Sequence, residues 1–241
     1  MPDIGHLRLI RRLIAVAALS SSAGEMLGGL PFSYAQFLPQ EEIYAPGVEL
    51  DHYLIVVDGS VCRYKVAASG AQAICSFEFP GDILNVENLR LAKSDCGARA
   101  VSSVEIAYVS RSAFDAVVVE NRELDAALQR YALIRAVTAE EWLLNVGRRP
   151  DRERVAHLIC EIVTRASAVD VPWDDVSSLL PSTDDLAGAT GLSVVQTTRA
   201  LRDLADEGAI SFTGGLFSIR NIERLEELGR FKPDYLHLME A

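Results

Sequence analysis

The sequence predicts an α+β protein: a β-roll, one long helix, and a helix-turn-helix closed by a β-hairpin. Three observations carry this. Residues 37–110 break into short alternating apolar runs separated by Gly, Pro and Asp turns, as in an antiparallel jelly roll. Residues 124–146 contain no Gly or Pro, enough for about six helical turns. Residues 182–207 read as two short helices around Gly191, followed by two strands about Gly214-Gly215.

Residues 6–29 read as helical, with Leu7, Leu9, Ile10, Leu13 and Ile14 as apolar positions, and Leu30-Pro31 ends the segment. Strands follow at 43–49, 53–57, 60–66, 71–79 and 98–109, with turns at Asp58-Gly59 and Pro80-Gly81-Asp82. A short helix at 112–118 precedes the long one, which Asn121 can cap. Leu124, Leu128 and Tyr131 begin a 4-3 spacing whose extension reaches Trp142, with Arg135 and Thr138 interrupting it. Leu133, Val137 and Leu144 add apolar character elsewhere. A helix apolar nearly all round must be covered on more than one side. It reads as a dimerisation helix, with an ordinary buried helix of a monomer as the alternative. Gly147 ends it and Pro150 can open the next helix. The domains are therefore expected at 1–120 (roll), 121–147 (dimerisation helix), 148–222 (helix-turn-helix and hairpin) and 223–241 (short helix and tail). Phe231 to Tyr235 is expected to fold back or fray.

The 182–207 stretch carries the functional signal. Ser182 with Asp185, and Ser193 with Gln196, form two capping boxes. Gly191 supplies the positive φ a tight interhelical turn requires. At 100° per residue, Thr197, Ala200, Leu201 and Leu204 share a core stripe, while Val195, Thr198, Arg199 and Arg202 face outward. Short side chains and an arginine at a helix N-terminal half suit the DNA major groove. The alternative is any helical hairpin with a solvated arginine face. The hairpin at 209–220 makes the unit a winged helix.

Here the chain resembles the Crp/Fnr family of bacterial transcription regulators. The residues that carry the resemblance are Leu186-Ala187, Gly191-Leu192-Ser193, Arg199-Ala200-Leu201, Leu204, Glu207-Gly208 and Phe217-Ser218-Ile219. Upstream, the run from Arg152 to Leu158 is similar to the start of the family's DNA-binding domain, and Asp58-Gly59-Ser60-Val61 and Phe79-Pro80-Gly81-Asp82-Ile83 resemble its cyclic-nucleotide-binding-like roll. The resemblance implies a homodimeric, sequence-specific DNA-binding regulator reading an inverted repeat, with RNA polymerase as a further partner and a small-molecule effector possible. The expected DNA-facing residues are Ser193, Val194, Val195, Gln196, Thr198, Arg199 and Arg202. Members with the best-known operators carry a glutamate where Val195 stands, so half-site preference is expected to differ. Thr197 and Ala200 are smaller or more polar than this core usually uses. The effector-pocket candidates are Gly81, Asp82 and Arg99. In members that bind a cyclic nucleotide, an arginine grips the phosphate; Ser94-Asp95-Cys96 stands at that place here. A carboxylate repels a phosphate, so cyclic AMP is not expected to bind tightly.

Composition limits the alternatives. The 241 residues are 49% hydrophobic and 24% charged, enough for two packed domains. The net charge is −11, and the two halves are alike: 12 basic against 18 acidic groups before residue 148, and 11 against 16 from there. A shallow salt dependence of DNA affinity is expected. The basic groups cluster locally, at Arg148, Arg149, Arg152 and Arg154 and at Arg199 with Arg202. This acidity makes a dimeric sensor or adaptor without DNA binding the runner-up function. Cys62, Cys75, Cys96 and Cys160 form no CxxC pair and read as buried thiols in a reducing cytoplasm, without metal or cofactor. No cysteine precedes Cys62, which disfavours the family's cluster-bearing sensor type. Of His6, His52, His157 and His237 only His52 lies in the roll, too few for a metal-dependent β-roll enzyme. The run at 13–19 is short for a secretory core, and no stretch approaches the roughly 20 apolar residues of a membrane span.

Overall fold

The computed structural model describes residues 4–169, 179–214 and 216–239. Two helices, α1 (Ile4–Ile14) and α2 (Ser21–Gly28), open the chain. The single helix expected over 6–29 divides because Ser20 adopts extended backbone (ψ 159°) and its side chain accepts from Ala23 N, capping a new helix.

Seven strands follow: β1 (Ser33–Phe37), β2 (Glu42–Tyr44), β3 (His52–Asp58), β4 (Val61–Val66), β5 (Gln72–Glu78), β6 (Gly97–Ala100) and β7 (Val104–Ser110). They form two antiparallel sheets, β1-β7-β3 and β2-β6-β4-β5. The run expected as one strand over 98–109 is two, β6 and β7, each in a different sheet. Leu54, Val56, Val61, Ala98, Ala100 and Ile106 share the buried core that contains both sheets. Tyr53, Ile55 and Val57 belong to a second core with α1, α2, α3 (Arg111–Glu120) and the start of α4 (Arg122–Arg148). β3 is buried on both faces, which is why it reads as an unbroken apolar run.

Asn121 caps α4 as expected, accepting from Glu123 N and Leu124 N. The helix runs through Gly147 and stops where Arg149 turns extended (ψ 142°). The cause is Pro150, which disfavours helical backbone in the residue before it. The 4-3 spacing read as a dimer seam is instead an internal face: Leu124, Leu128, Tyr131 and Trp142 are buried within the protomer. The exposed large apolar residues of α4 are Leu133, Leu143, Leu144 and Val146.

The C-terminal unit comprises α5 (Asp151–Ser167), α6 (Thr183–Thr190), α7 (Val194–Asp206), β8 (Ile210–Thr213), β9 (Leu216–Ile219) and α8 (Ile222–Gly229). Its core is continuous with the roll: Cys62, Ile74, Phe77 and Phe79 join Ile159, Leu186 and Leu201 in one cluster. The tail folds back. Phe231 and Leu236 are buried, and Met239 N donates to Ala15 O at 2.8 Å.

Candidate nucleic-acid interface

Both expected capping boxes are present. Ser182 accepts from Asp185 N at 3.1 Å, and Ser193 accepts from Gln196 N at 3.2 Å, with the side chain of each third residue returning to its cap. Between them Gly191 takes φ +67°, the left-handed conformation that costs an L-residue most. These local bonds set the angle between α6 and α7.

The core stripe of α7 is also as read. Thr197, Ala200, Leu201 and Leu204 are at most 2% exposed. Thr197 is tolerated there because its hydroxyl donates to Ser193 O at 3.1 Å, so no buried polar group goes unpaired. Facing outward are Val194, Val195, Gln196, Arg199 and Arg202, with Thr198 half-buried. Val194, Thr198 and Arg202 line an open groove with Ser182, the cap of α6, and Phe212 and Gly214 of the hairpin. Gly214 turns the hairpin at φ +62°; Gly215 lies outside the described residues. Gln196 serves the cap more than the groove: its amide oxygen accepts from Ser193 N at 3.0 Å and its nitrogen donates to Asp151 at 3.3 Å.

Of the basic cluster read from sequence at Arg148–Arg154, Arg148 is exposed and the other three arginines are engaged within the chain. Arg149 pairs with Glu141 and Glu153. Arg154 donates to Thr190 O and Arg149 O, and Arg152 pairs with Glu207. These arginines bind the chain to itself. Arg199 and Arg202 are exposed and form no ion pair among the described residues.

Comparison with known proteins agrees with this geometry. The model of the cyclic nucleotide-binding domain matches residues 34–121, and that of the Crp-like helix-turn-helix domain residues 153–228. A protein of Rhizobium leguminosarum bv. viciae described as "Probable transcriptional activator" is 31% identical over 173 residues, 70% of this chain and 69% of that protein. This chain belongs to the Crp/Fnr family. It is a DNA-binding transcription regulator of that type. The nitrogen fixation regulation protein FixK of Azorhizobium caulinodans is 28% identical over 177 residues, 73% of this chain and 71% of its own length. The solved structure of FixK2 from Bradyrhizobium japonicum superposes with TM-score 0.72 at 27% identity, covering 83% of this chain and 98% of that one.

In this Crp/Fnr protein the effector-pocket candidates separate. A cavity of about 380 Å³ lies between β4, β5 and α4. Gly81 (φ +89°) does not line it, and a Cβ there would lie 2.4 Å from Arg8 O. Asp82 lines the cavity but is fully engaged. It accepts from Tyr131 at 2.9 Å and Phe79 N at 2.8 Å and pairs with Arg12 at 2.9 Å and Arg165 at 3.1 Å. Burial works to raise its pKa, but the two guanidiniums win and hold the carboxyl below its ordinary value. Arg99 is not a pocket residue. It donates to Asp185 of α6 at 2.7 Å, so it ties the roll to the helix-turn-helix. Asp95 and Cys96 line the cavity.

The residues sequence reasoning missed are Arg63 and Lys65 of β4 and Arg135 of α4, which bring positive charge to the cavity. Alternation along β4 could have put Arg63 and Lys65 on one face, but nothing local says which face meets α4. Arg63 pairs with Glu87, and Arg135 pairs with Glu78 at 2.8 Å.

Proposed function

We propose that this regulator acts as a homodimer that pairs along the exposed stripe of α4 and presents two α7 helices to an inverted repeat, with half-sites about one helical turn apart. The single observation that carries it is α7 itself: anchored by Leu201 and Leu204 and capped at Ser193, it turns Arg199 and Arg202, which pair with no carboxylate among the described residues, outward beside the hairpin. Arg199 supplies a base or backbone contact and Arg202 a phosphate contact. Ser193 and Thr198 are the polar partners nearest the groove. Val194 and Val195, 44% and 71% exposed, offer apolar contact to a thymine methyl where a glutamate would select cytosine. RNA polymerase is the protein partner of such a regulator on its promoter, and the cytoplasm its compartment; no helix among the described residues is long and apolar enough to cross a membrane.

Cyclic AMP does not bind tightly in this reading. The cavity's cations are engaged by its own carboxylates, so a phosphate would have to displace them. Calorimetry with cyclic AMP tests this, and micromolar affinity would overturn it. For the DNA reading the test is selection from random duplexes with the full-length protein. An enriched palindrome is expected. Absence of enrichment would favour a dimeric adaptor that has lost DNA binding.

A further inference from the structure

The tail after α8 touches both units of the chain. Phe231 is buried in the core that joins them, its ring 5.1 Å from that of His157 of α5. One turn of 3-10 helix, Pro233–Leu236, follows. There the Tyr235 hydroxyl donates to Glu161 of α5 at 2.7 Å, and the Tyr235 ring stacks on His157. The next residues lie on the roll. Leu236, 2% exposed, and Leu238, half-buried, form part of the wall of the cavity of about 380 Å³, with Val16 and Ile134. Arg130 of α4 donates to both Val16 O and His237 O, and Met239 N donates to Ala15 O at 2.8 Å.

We propose that residues 230–239 form a latch: one cooperative segment that closes the cavity wall with Leu236 and Leu238 and fastens Tyr235 to α5 of the helix-turn-helix unit, so that opening the wall and letting go of α5 are a single event. A molecule that enters the cavity against this wall is then felt at α5, without contact to α7.

The geometry gives the coupling its mechanism. Tyr235 and Leu236 are neighbours in one 3-10 turn, where successive side chains point about 120° apart. One faces α5 and the other the cavity, so turning the segment moves both. At the α5 end the hydroxyl of Tyr235 serves a carboxylate that is 1% exposed and also accepts from Trp142 Nε1 at 3.0 Å. Losing that donor leaves Glu161 under-satisfied in a site water does not reach. Other terms favour release. Arg230 and His237 bracket the segment at φ +46° and +47°, a left-handed backbone that L-residues hold at a cost. A freed tail relaxes both and regains chain entropy. The ion pairs of Arg165 with Glu78 and Asp82 do not involve the tail, so an open latch loosens the two units without parting them.

Amide exchange of the full-length protein tests this. Phe231 N and Met239 N report on the two ends of the segment, donating to Glu226 O at 3.0 Å and to Ala15 O at 2.8 Å. In the wild type the two amides are expected to open together, with equal protection at low denaturant. Tyr235→Phe removes only the hydroxyl at the α5 end. It should speed exchange at both amides by roughly tenfold, and Cys96, a cavity-lining thiol 8% exposed, should react faster with a maleimide. Leu238→Glu, at the roll end, should do the same, with the paired amides of β8 and β9 at wild-type rates as the sign that the fold is kept. Should those amides also speed up in Leu238→Glu, the milder Tyr235→Phe decides. Met239 exchange and Cys96 reactivity unchanged in Tyr235→Phe, or unequal protection of the two amides in the wild type, would overturn the inference.

Discussion

Arg199 and His157 mark two kinds of residue in this chain, one facing out and one sealed in. Arg199 is exposed on α7, so Arg199→Ala should weaken operator binding by roughly 1–3 kcal/mol while the melting temperature stays at the wild-type value; fluorescence anisotropy and calorimetry read the two. His157 is 2% exposed, bonded to Gly229 O at 3.2 Å and stacked on Tyr235. Burial first, then Arg149, lowers its pKa to about 4. The unfolded chain therefore takes up a proton near pH 6.5 that the folded chain refuses, and stability should fall as pH drops from about 6.5 towards 4. For one proton that is roughly 2 kcal/mol between pH 6.5 and 5. Glu161 beside it works the other way, since burial raises its carboxyl and protonation relieves the folded state. The readout is thus the difference from His157→Gln, whose stability should fall less over the same range in denaturant titrations. The caps at Ser182 and Ser193 were legible in the sequence because their partners lie three residues away. The partners of Arg99 and His157, at Asp185 and Gly229, were not, because a long-range contact leaves no local pattern.

At the scale of the element, α4 shows where periodicity runs out. Its sequence offers two apolar faces, and the spacing alone does not say which one meets the roll. The structure assigns Leu124 and Leu128 to the core at full burial and leaves Leu133 and Leu143 67% and 75% exposed. With Ala136 and Gly147, which are exposed and small, this second face is the one on which the proposed dimer would pair. The two faces should respond oppositely to substitution. Leu128→Ala should cost about 2–5 kcal/mol of folding stability and leave the monomer–dimer equilibrium of the folded fraction alone. Leu143→Lys should keep the fold and shift sedimentation towards the monomer. A monomeric Leu128→Ala protein beside a dimeric Leu143→Lys one would return the seam to the face first read from sequence. The roll was legible in outline because turns punctuate it. The split at 101–103 was not, since the alternation of side chains carries through it while the chain changes sheet.

Across the whole molecule, the roll and the helix-turn-helix unit meet through buried charge. Arg165 of α5 reaches Glu78 at 3.0 Å and Asp82 at 3.1 Å, Arg12 pairs with Asp82 from the other side, and Arg99 holds Asp185. The carboxylates of Glu78 and Asp82 are 1% exposed. Removing one cation from such a cluster leaves charge uncompensated in a medium that solvates it poorly, which typically costs 3–5 kcal/mol. An exposed pair behaves differently. Arg152 and Glu207, at 45% and 36% exposure, are solvated, so water screens their attraction and removing one partner leaves no charge stranded. Arg165→Met and Arg152→Met therefore remove the same group from the same helix with different expected outcomes. The first should lower the denaturation midpoint strongly and separate the melting of the roll from that of the helix-turn-helix. The second should leave one transition near the wild-type midpoint. If both variants melted alike in differential scanning calorimetry, the interdomain contact would rest on its apolar part, with Ile74, Phe77 and Phe79 against α5 and α6, and the buried charges would only fill it.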